Sequence, residues 1–144
     1  MKATAPWNPA GPLAGLDPGR SKCGLVRTDP SCHTILEGCV LPPEPCHQQL
    51  LEWHQSGLIK AVVMGDGTGS REWRSRLEGS LPLHIVGEAH STLEARRRYW
   101  ALEPARGWRR LVPEGLRQPP RDWDDIAAQL LLERWLGRPL TRLP

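Results

Sequence analysis

The sequence predicts an α/β domain with a central mixed sheet and helices on both of its faces. Two turn signals, Asp17-Pro18-Gly19 and Asp29-Pro30-Ser31, join three short apolar segments, the pattern of an antiparallel meander. A nearly continuous apolar run, Leu58 to Met64, follows a segment with helical spacing. Such a run marks a strand covered on both faces, and a strand reached through a helix lies parallel to its neighbour. The full order is βββαβαβα.

Each element has a local reason. Met1 to Pro12 carries three prolines and Asn8 and is expected to be a disordered leader. Leu13 to Leu16 is the first strand, Cys23 to Thr28 the second and His33 to Leu41 the third. Pro42-Pro43 ends the third strand, and Glu44 to Ser56 places Leu50, Leu51 and Trp53 at helical spacing until Gly57 stops it. The Leu58–Met64 strand is expected beside the first strand. The loop Gly65 to Ser70 leads into a polar helix from Arg71 to Leu77, with Asp66, Thr68 and Ser70 read as turn and cap residues. Leu83 to Val86 is a fifth strand, Ser91 to Glu103 a helix, Pro104 to Arg121 a long basic loop and Trp123 to Leu136 a last helix. The sheet is therefore expected to have five strands, a three-stranded antiparallel meander plus two parallel strands. Residues 13–137 form the domain and 138–144 a short tail.

A chain of 144 residues suits one domain with one core. With no Phe and one Tyr, its seven Trp supply nearly all the aromatic area. No apolar run reaches bilayer length, and Lys2 to Gly11 lacks a signal-peptide apolar region, so a cytoplasmic protein without membrane partners is expected. Cys23, Cys32, Cys39 and Cys46 contain no C-x-x-C pair and read as free thiols. Cys32-His33 and Cys46-His47 repeat a dipeptide that zinc uses, but their spacing matches no usual structural site.

The net charge is +3, and it is unevenly placed. Arg96, Arg97, Arg98, Arg106, Arg109, Arg110, Arg117 and Arg121 crowd a segment whose only acids are Glu103 and Glu114. Arginine suits bidentate phosphate contact, and Tyr99, Trp100 and Trp108 among them offer faces on which an unpaired base can stack. Nucleic acid is the partner class this implies.

Three acids stand at chemically suggestive places: Asp17 at the lip of the first turn, Glu88 after the fifth strand and Asp124 opening the last helix. Taken singly, Asp17 opens an Asp-Pro-Gly turn and Glu88 is an acid near a helix start. Taken together, three carboxylates within a few ångströms repel by about 4 kcal/mol per pair at an effective dielectric near 20, so the cluster requires a cation. Magnesium accepts such an oxygen set. Of the neighbouring acids, Asp122 is expected to cap the last helix and Asp125 to favour its dipole. Asp124 shares a stripe with Ala127, Ala128 and Leu131 that is expected to pack on the sheet.

At these residues the chain resembles a known family. Gly15-Leu16-Asp17-Pro18-Gly19-Arg20-Ser21-Lys22-Cys23-Gly24-Leu25 is similar to the opening motif of the bacterial YqgF (RuvX) proteins. Glu88-Ala89-His90-Ser91-Thr92 and Asp124-Asp125-Ile126-Ala127-Ala128 are similar to that family's second and third acidic segments. The resemblance runs from Leu13 to Leu136 and implies an RNase H-like fold. It also implies a magnesium-dependent nuclease, with manganese as a substitute ion, in which Asp17, Glu88 and Asp124 are catalytic and metal-binding. The implied substrate is pre-16S rRNA during 5′-end maturation or a branched DNA junction, and the implied state a monomer or homodimer. Gly87 and Ala89 replace the Asp and Arg that flank the family's central Glu, and its Gly-Leu-Pro loop is contracted to Gly65-Asp66-Gly67-Thr68-Gly69. These departures keep a second reading open, a binding module of the same fold with weakened catalysis. The expected nucleic-acid contacts are Arg20, Lys22, Arg96, Arg97, Arg106, Arg109, Arg110 and Arg117, with Arg20 or one of Arg96 to Arg98 replacing the missing motif arginine.

The basic segment yields a direct test. Neutralising Arg106, Arg109 and Arg110 together should weaken binding to all nucleic-acid sequences and flatten its salt dependence, by roughly 0.7 to 0.9 in the log-log slope per lost phosphate contact. An unchanged slope would mean that these arginines are only a solvated surface.

Overall fold

Both predicted turns form, and they fold the first three strands into a meander. The computed structural model describes residues 11–67, 69–87, 97–98, 101–102, 111 and 124–143. The leader to residue 10, most of the Ser91–Glu103 helix, the basic loop except Leu111, and Asp122 lie outside the described residues. In chain order the elements are β1 (Leu13–Asp17), β2 (Cys23–Thr28), β3 (Thr34–Leu41), α1 (Pro43–Gln55), β4 (Ala61–Gly65), α2 (Ser70–Leu77), β5 (Leu83–Val86), α3 (Asp124–Leu136) and β6 (Thr141–Arg142). Arg97, Arg98, Ala101 and Leu102 also have helical backbone.

Asp29 holds the second turn. Its carboxylate accepts from the backbone N–H groups of His33 and Thr34 at 2.8 and 2.9 Å and from the Ser31 hydroxyl. Burial alone would raise its pKa, but those three donors outweigh it and hold the carboxyl below its ordinary value. The strand order is β5-β4-β1-β2-β3-β6. β1, β2 and β3 pair antiparallel, while β4 lies parallel to β1 and β5 parallel to β4. This is the α/β arrangement predicted from sequence, a mixed sheet with β4 beside the first strand.

The sheet separates two cores. On one face Leu16, Leu25, Val62 and Met64 meet Cys46, Leu50 and Trp53 of α1 and Trp73 and Leu77 of α2. On the other Leu13, Val26, Ile35 and Val63 meet Ala128, Leu132 and Leu136 of α3. Burying each large apolar side chain of this kind contributes about 1.5 to 3 kcal/mol before ordering costs.

Four expectations need correction. Among the described residues the sheet has six strands, not five: residues 138–143, expected as a tail, carry β6, which pairs parallel with Thr34 and Ile35 of β3. A second correction concerns β4, which starts at Ala61 rather than Leu58. The turn that ends α1 takes Gly57 at φ +78° and bonds Leu58 and Ile59 N–H to the Trp53 carbonyl, leaving neither for the sheet. The N-cap of α2 is Gly69, at φ +85° and without a side-chain cap, so neither Asp66 nor Ser70 fills that position. Finally, the sheet-facing stripe of α3 is rotated. It runs through Asp125, Ala128, Leu132 and Leu136, whereas Ala127 is only half-buried.

The close seating of α3 has a visible cause in two glycines on its face of the sheet. A Cβ on Gly15 would stand 2.7 Å from the Ala128 carbonyl oxygen, and one on Gly24 only 1.8 Å from the Asp124 carbonyl oxygen. Helix backbone occupies the volume that side chains would fill. Gly24→Ala should therefore cost about 3 kcal/mol or more, because backbone rather than a flexible side chain must move. Gly57→Ala, with nothing within 4 Å, should cost only the left-handed backbone strain of about 1 kcal/mol. Urea midpoints of the two variants test this, and equal losses would refute the seating argument.

Candidate functional site

Alternation along β1 puts Leu13, Gly15 and Asp17 on the α3 face, with Ala14 and Leu16 in the opposite core. Asp17, half-buried, ends the strand directly opposite Gly24 in the antiparallel register. Since the first turn of α3 rests on Gly24, this pairing brings the start of the helix beside Asp17. Asp124 is the first residue of that helix and is half-buried.

Helical phase decides which of the two adjacent acids faces the strand ends. Trp135 lies eleven residues after Asp124, about three turns on and hence on the same flank. It stacks on His84 of β5 with ring centroids 4.8 Å apart. Asp124 accordingly occupies the flank of α3 that looks toward β4 and β5. Asp125, about 100° further round, points toward β3 and β6 and is 3% exposed. Its Oδ2 accepts from Nη1 of Arg142 at 2.9 Å. Arg142 Nε donates to Gln129 Oε1 at 3.0 Å. Gln129 Nε2 in turn donates to Glu133 and to the Leu140 carbonyl. Asp125 is thus tied into the network that holds β6.

The parallel strands β1, β4 and β5 end on one edge of the sheet, the edge where ligands of open α/β sheets gather. Asp66 follows β4 and Gly87 follows β5, and a Cβ on Gly87 would lie 3.9 Å from Asp66 Oδ2. Asp66, read from sequence as a turn residue, thereby stands as a further acid at this edge. Glu88 lies outside the described residues, but Nη1 of Arg134 donates to the Gly87 carbonyl, tying the chain that leads into Glu88 to α3. Gly69, at the start of α2, approaches Pro18, with its constructed Cβ 4.0 Å from that ring. Among the described residues, no three His, Cys, Asp or Glu side chains are grouped closely enough to hold a metal.

The expected basic contacts divide. Arg20 and Lys22 are exposed on the turn after Asp17, and Arg97 is exposed. Arg96, Arg106, Arg109, Arg110 and Arg117 lie outside the described residues. Arg98 donates through Nη2 to Glu133 at 2.7 Å and to the Leu140 carbonyl at 3.2 Å, so it serves the β6 network instead of the missing motif arginine.

All four cysteines are free thiols. Cys32 lies in the α3-side core and Cys46 in the α1-side core, so the two Cys-His dipeptides are separated by the sheet and share no metal. The neighbouring Cys46 side chain holds the Cys23 thiol down, to about 7, against the opposing effect of burial. A longer contact of 3.8 Å joins Cys23 Sγ to the Gly19 carbonyl of the motif turn. The nearby Asp124 carboxylate acts in the raising direction on the same thiol. Cys46 is pushed far up by the neighbouring Cys23 and by burial.

Gly24 and Arg134 were missed by sequence reasoning. An isolated glycine in a strand pattern is a signal of close backbone approach and was available. Nothing local marks Arg134, whose partner is 47 residues away.

No family model matches the sequence, and no curated protein matches it. The chain is similar in fold to T. thermophilus RuvC in complex with Holliday junction substrate, at 19% identity and a TM-score of 0.46 over 86% of this chain and 90% of that one. It is also similar to a further Thermus thermophilus RuvC structure, again at 19% identity and TM-score 0.46, over 86% of this chain and 91% of that one. No helix among the described residues is long and apolar enough to cross a membrane.

The two neighbouring acids should separate cleanly in stability. Asp125→Ala leaves Arg142 buried without its carboxylate and should cost about 3 to 5 kcal/mol. Asp124→Asn should cost about 1 kcal/mol or less. Chemical denaturation measures both, and a larger loss for Asp124→Asn would reverse the assignment of the buried role.

Proposed function

We propose that this chain is a divalent-metal-dependent nuclease of the YqgF/RuvX type that hydrolyses phosphodiester bonds in structured nucleic acid. Asp17, Glu88 and Asp124 are its catalytic and metal-holding acids. The observation that carries the reading is the seating of α3 on Gly24, which sets Asp124 beside the strand end that bears Asp17. The donor chemistry fits magnesium: Asp17 ends and Asp66 follows strands that stop at one sheet edge, and the glycine at position 24 lets the helix start that bears Asp124 approach that edge. When bound, the cation supplies an activated water and stabilises the leaving oxygen, with manganese as its substitute.

The chain's own residues do the rest. Asp17 and Asp124 present oxygens from two rigid elements, a strand end and a helix start, and Asp66 adds negative charge at the same edge. Arg20 and Lys22, exposed on the adjoining turn, hold backbone phosphates, and Arg97 with Arg96, Arg106, Arg109, Arg110 and Arg117 extends the contact along the strand. Hydrolysis proceeds without a covalent enzyme intermediate. The substrate in this reading is the 5′ region of pre-16S rRNA, and a branched DNA junction is the alternative. A second reading, a binding module with weakened catalysis, draws on Gly87 and Ala89 and on the commitment of Arg98 to Glu133.

The test compares cleavage of a pre-rRNA fragment and a four-way DNA junction with and without magnesium. Asp17→Asn should keep the fold, weaken magnesium binding and abolish cleavage, because it removes a charge at nearly constant volume. Equal cleavage by parent and variant would sink the catalytic assignment, while binding without cleavage by the parent would select the second reading.

A further inference from the structure

The flank of α3 that begins at Asp124 ends in an aromatic pair that the nuclease reading does not use. Along β5, Leu83 and Ile85 pack against the α1-side core, whereas Val86 packs with Trp135 against the α3-side core. Alternation therefore turns His84 to the α3 face. It is exposed there, while Trp135 is half-buried. The two rings stack with centroids 4.8 Å apart and planes 24° from parallel. β5 is the last strand on its side of the sheet, so among the described residues no strand stands beyond His84. The indole covers one face of the imidazole and leaves the other to solvent. Core packing accounts for Trp135, but it does not account for a flat polar ring stacked outside the core. A surface imidazole ordinarily rotates; here Trp135 fixes its plane, so the open face meets a ligand with little further ordering cost. His84 lies three residues, about 10 Å, before Gly87 at the strand-end edge. Trp135 lies eleven residues, about 16 Å, after Asp124 on the same flank.

We propose that His84, backed by Trp135, is a stacking site for one unpaired nucleobase of a single-stranded segment that adjoins the phosphodiester to be cut. The proposal rests on the nuclease reading above and names a substrate feature which that reading leaves open. An aromatic face accepts any base, because every base has a π-face, so the site selects single strand over duplex and carries no sequence preference. In a duplex each base is already stacked between its neighbours and cannot reach the ring. The free face of His84 takes the base, and the indole behind it extends the stack to three rings. A few nucleotides span the distance from this stack to the strand-end edge. The bond from Arg134 to the Gly87 carbonyl ties the turn of α3 that carries Trp135 to the same edge, so the stack and the acids keep a fixed separation. The base is thus held at one end of the flank while a nearby phosphate lies at the other.

The experiment measures binding by the full chain without divalent metal, so that cleavage plays no part. The probes are fluorescein-labelled single-stranded DNA and RNA of one sequence and the blunt duplex of the same DNA. His84→Ala should weaken binding to both single strands roughly tenfold or more, the usual effect of removing one stacked base contact. Duplex affinity and the log-log salt slope should stay as in the parent, because no phosphate contact is lost. His84→Phe should restore single-strand binding, whereas His84→Leu, which covers Trp135 without offering a flat ring, should not. Urea midpoints of the exposed-site variants, expected to match the parent, separate a loss of binding from a loss of fold. Single-strand binding by His84→Ala equal to that of the parent, an equal loss on single strand and duplex, or rescue by His84→Leu would overturn the proposal. Any of these leaves the nuclease reading standing, because the parent still binds; a parent that binds none of the probes sinks both.

Discussion

The backbone of the first turn of α3 lies against Gly24, in the volume where any other residue would carry Cβ. The rest of the architecture is arranged around that contact. Gly24 faces Asp17 across the β1–β2 pair, so one steric fact sets both the depth at which the helix lies and the distance between a strand-end acid and a helix-start acid. The β1–β2 turn, the close pairing at its mouth and the helix start are one mechanical unit. A side chain at Gly24 would push the Asp124 backbone off the sheet and so move the helix-start acid away from the strand end.

Depth alone leaves the helix free to rotate, and the C-terminal residues remove that freedom. Asp125, Arg142, Gln129 and Glu133 form a continuous chain of hydrogen bonds from the first turn of α3 to its end, with Leu140 receiving and giving bonds in the same network. A buried carboxylate is costly unless it is paired, so the network has a strong preference for one phase of the helix. The cation–anion contact between Arg142 and Asp125 also explains why a two-residue strand persists at the sheet edge. β6 has few ladder bonds of its own, and its arginine is held from beneath.

Much of this was legible in the sequence, for identifiable reasons. The bounds of β2 and β5, and the two turns of the meander, follow from alternation and from Asp-Pro chemistry, which are local. The side-by-side placement of β1 and β4 follows from the handedness and reach of a helical crossover. What was not legible is set by contacts distant in sequence. The apolar run Leu58–Met64 reads as one strand, yet its first residues are drawn into the end of α1 by Trp53. β6 has too few residues for a period. The α3 phase depends on Arg142, 17 positions from Asp125, and the apolar residues of that helix surround it too broadly for a stripe to be read. Of the candidate site, Asp17 and Asp124 were nameable from motifs, but the seating of the helix start on Gly24, opposite Asp17, was not.

Two adjacent acids at a helix start therefore carry different loads because a helix turns about 100° per residue. One step of rotation directs the buried Asp125 to the half-buried Arg142 guanidinium and leaves Asp124 on the flank toward β4 and β5, where Asp66 and Gly87 also lie. Arg134 reaches back from the other end of the helix to the carbonyl of Gly87, so α3 touches the site region at both of its ends. A change that loosens the Arg142 network would free the helix to turn, and the first geometry to suffer would be that of Asp124 against Asp17. The geometry of the helix start at the strand ends is therefore set by structure on the opposite side of the helix, and it is coupled to stability through the helix phase.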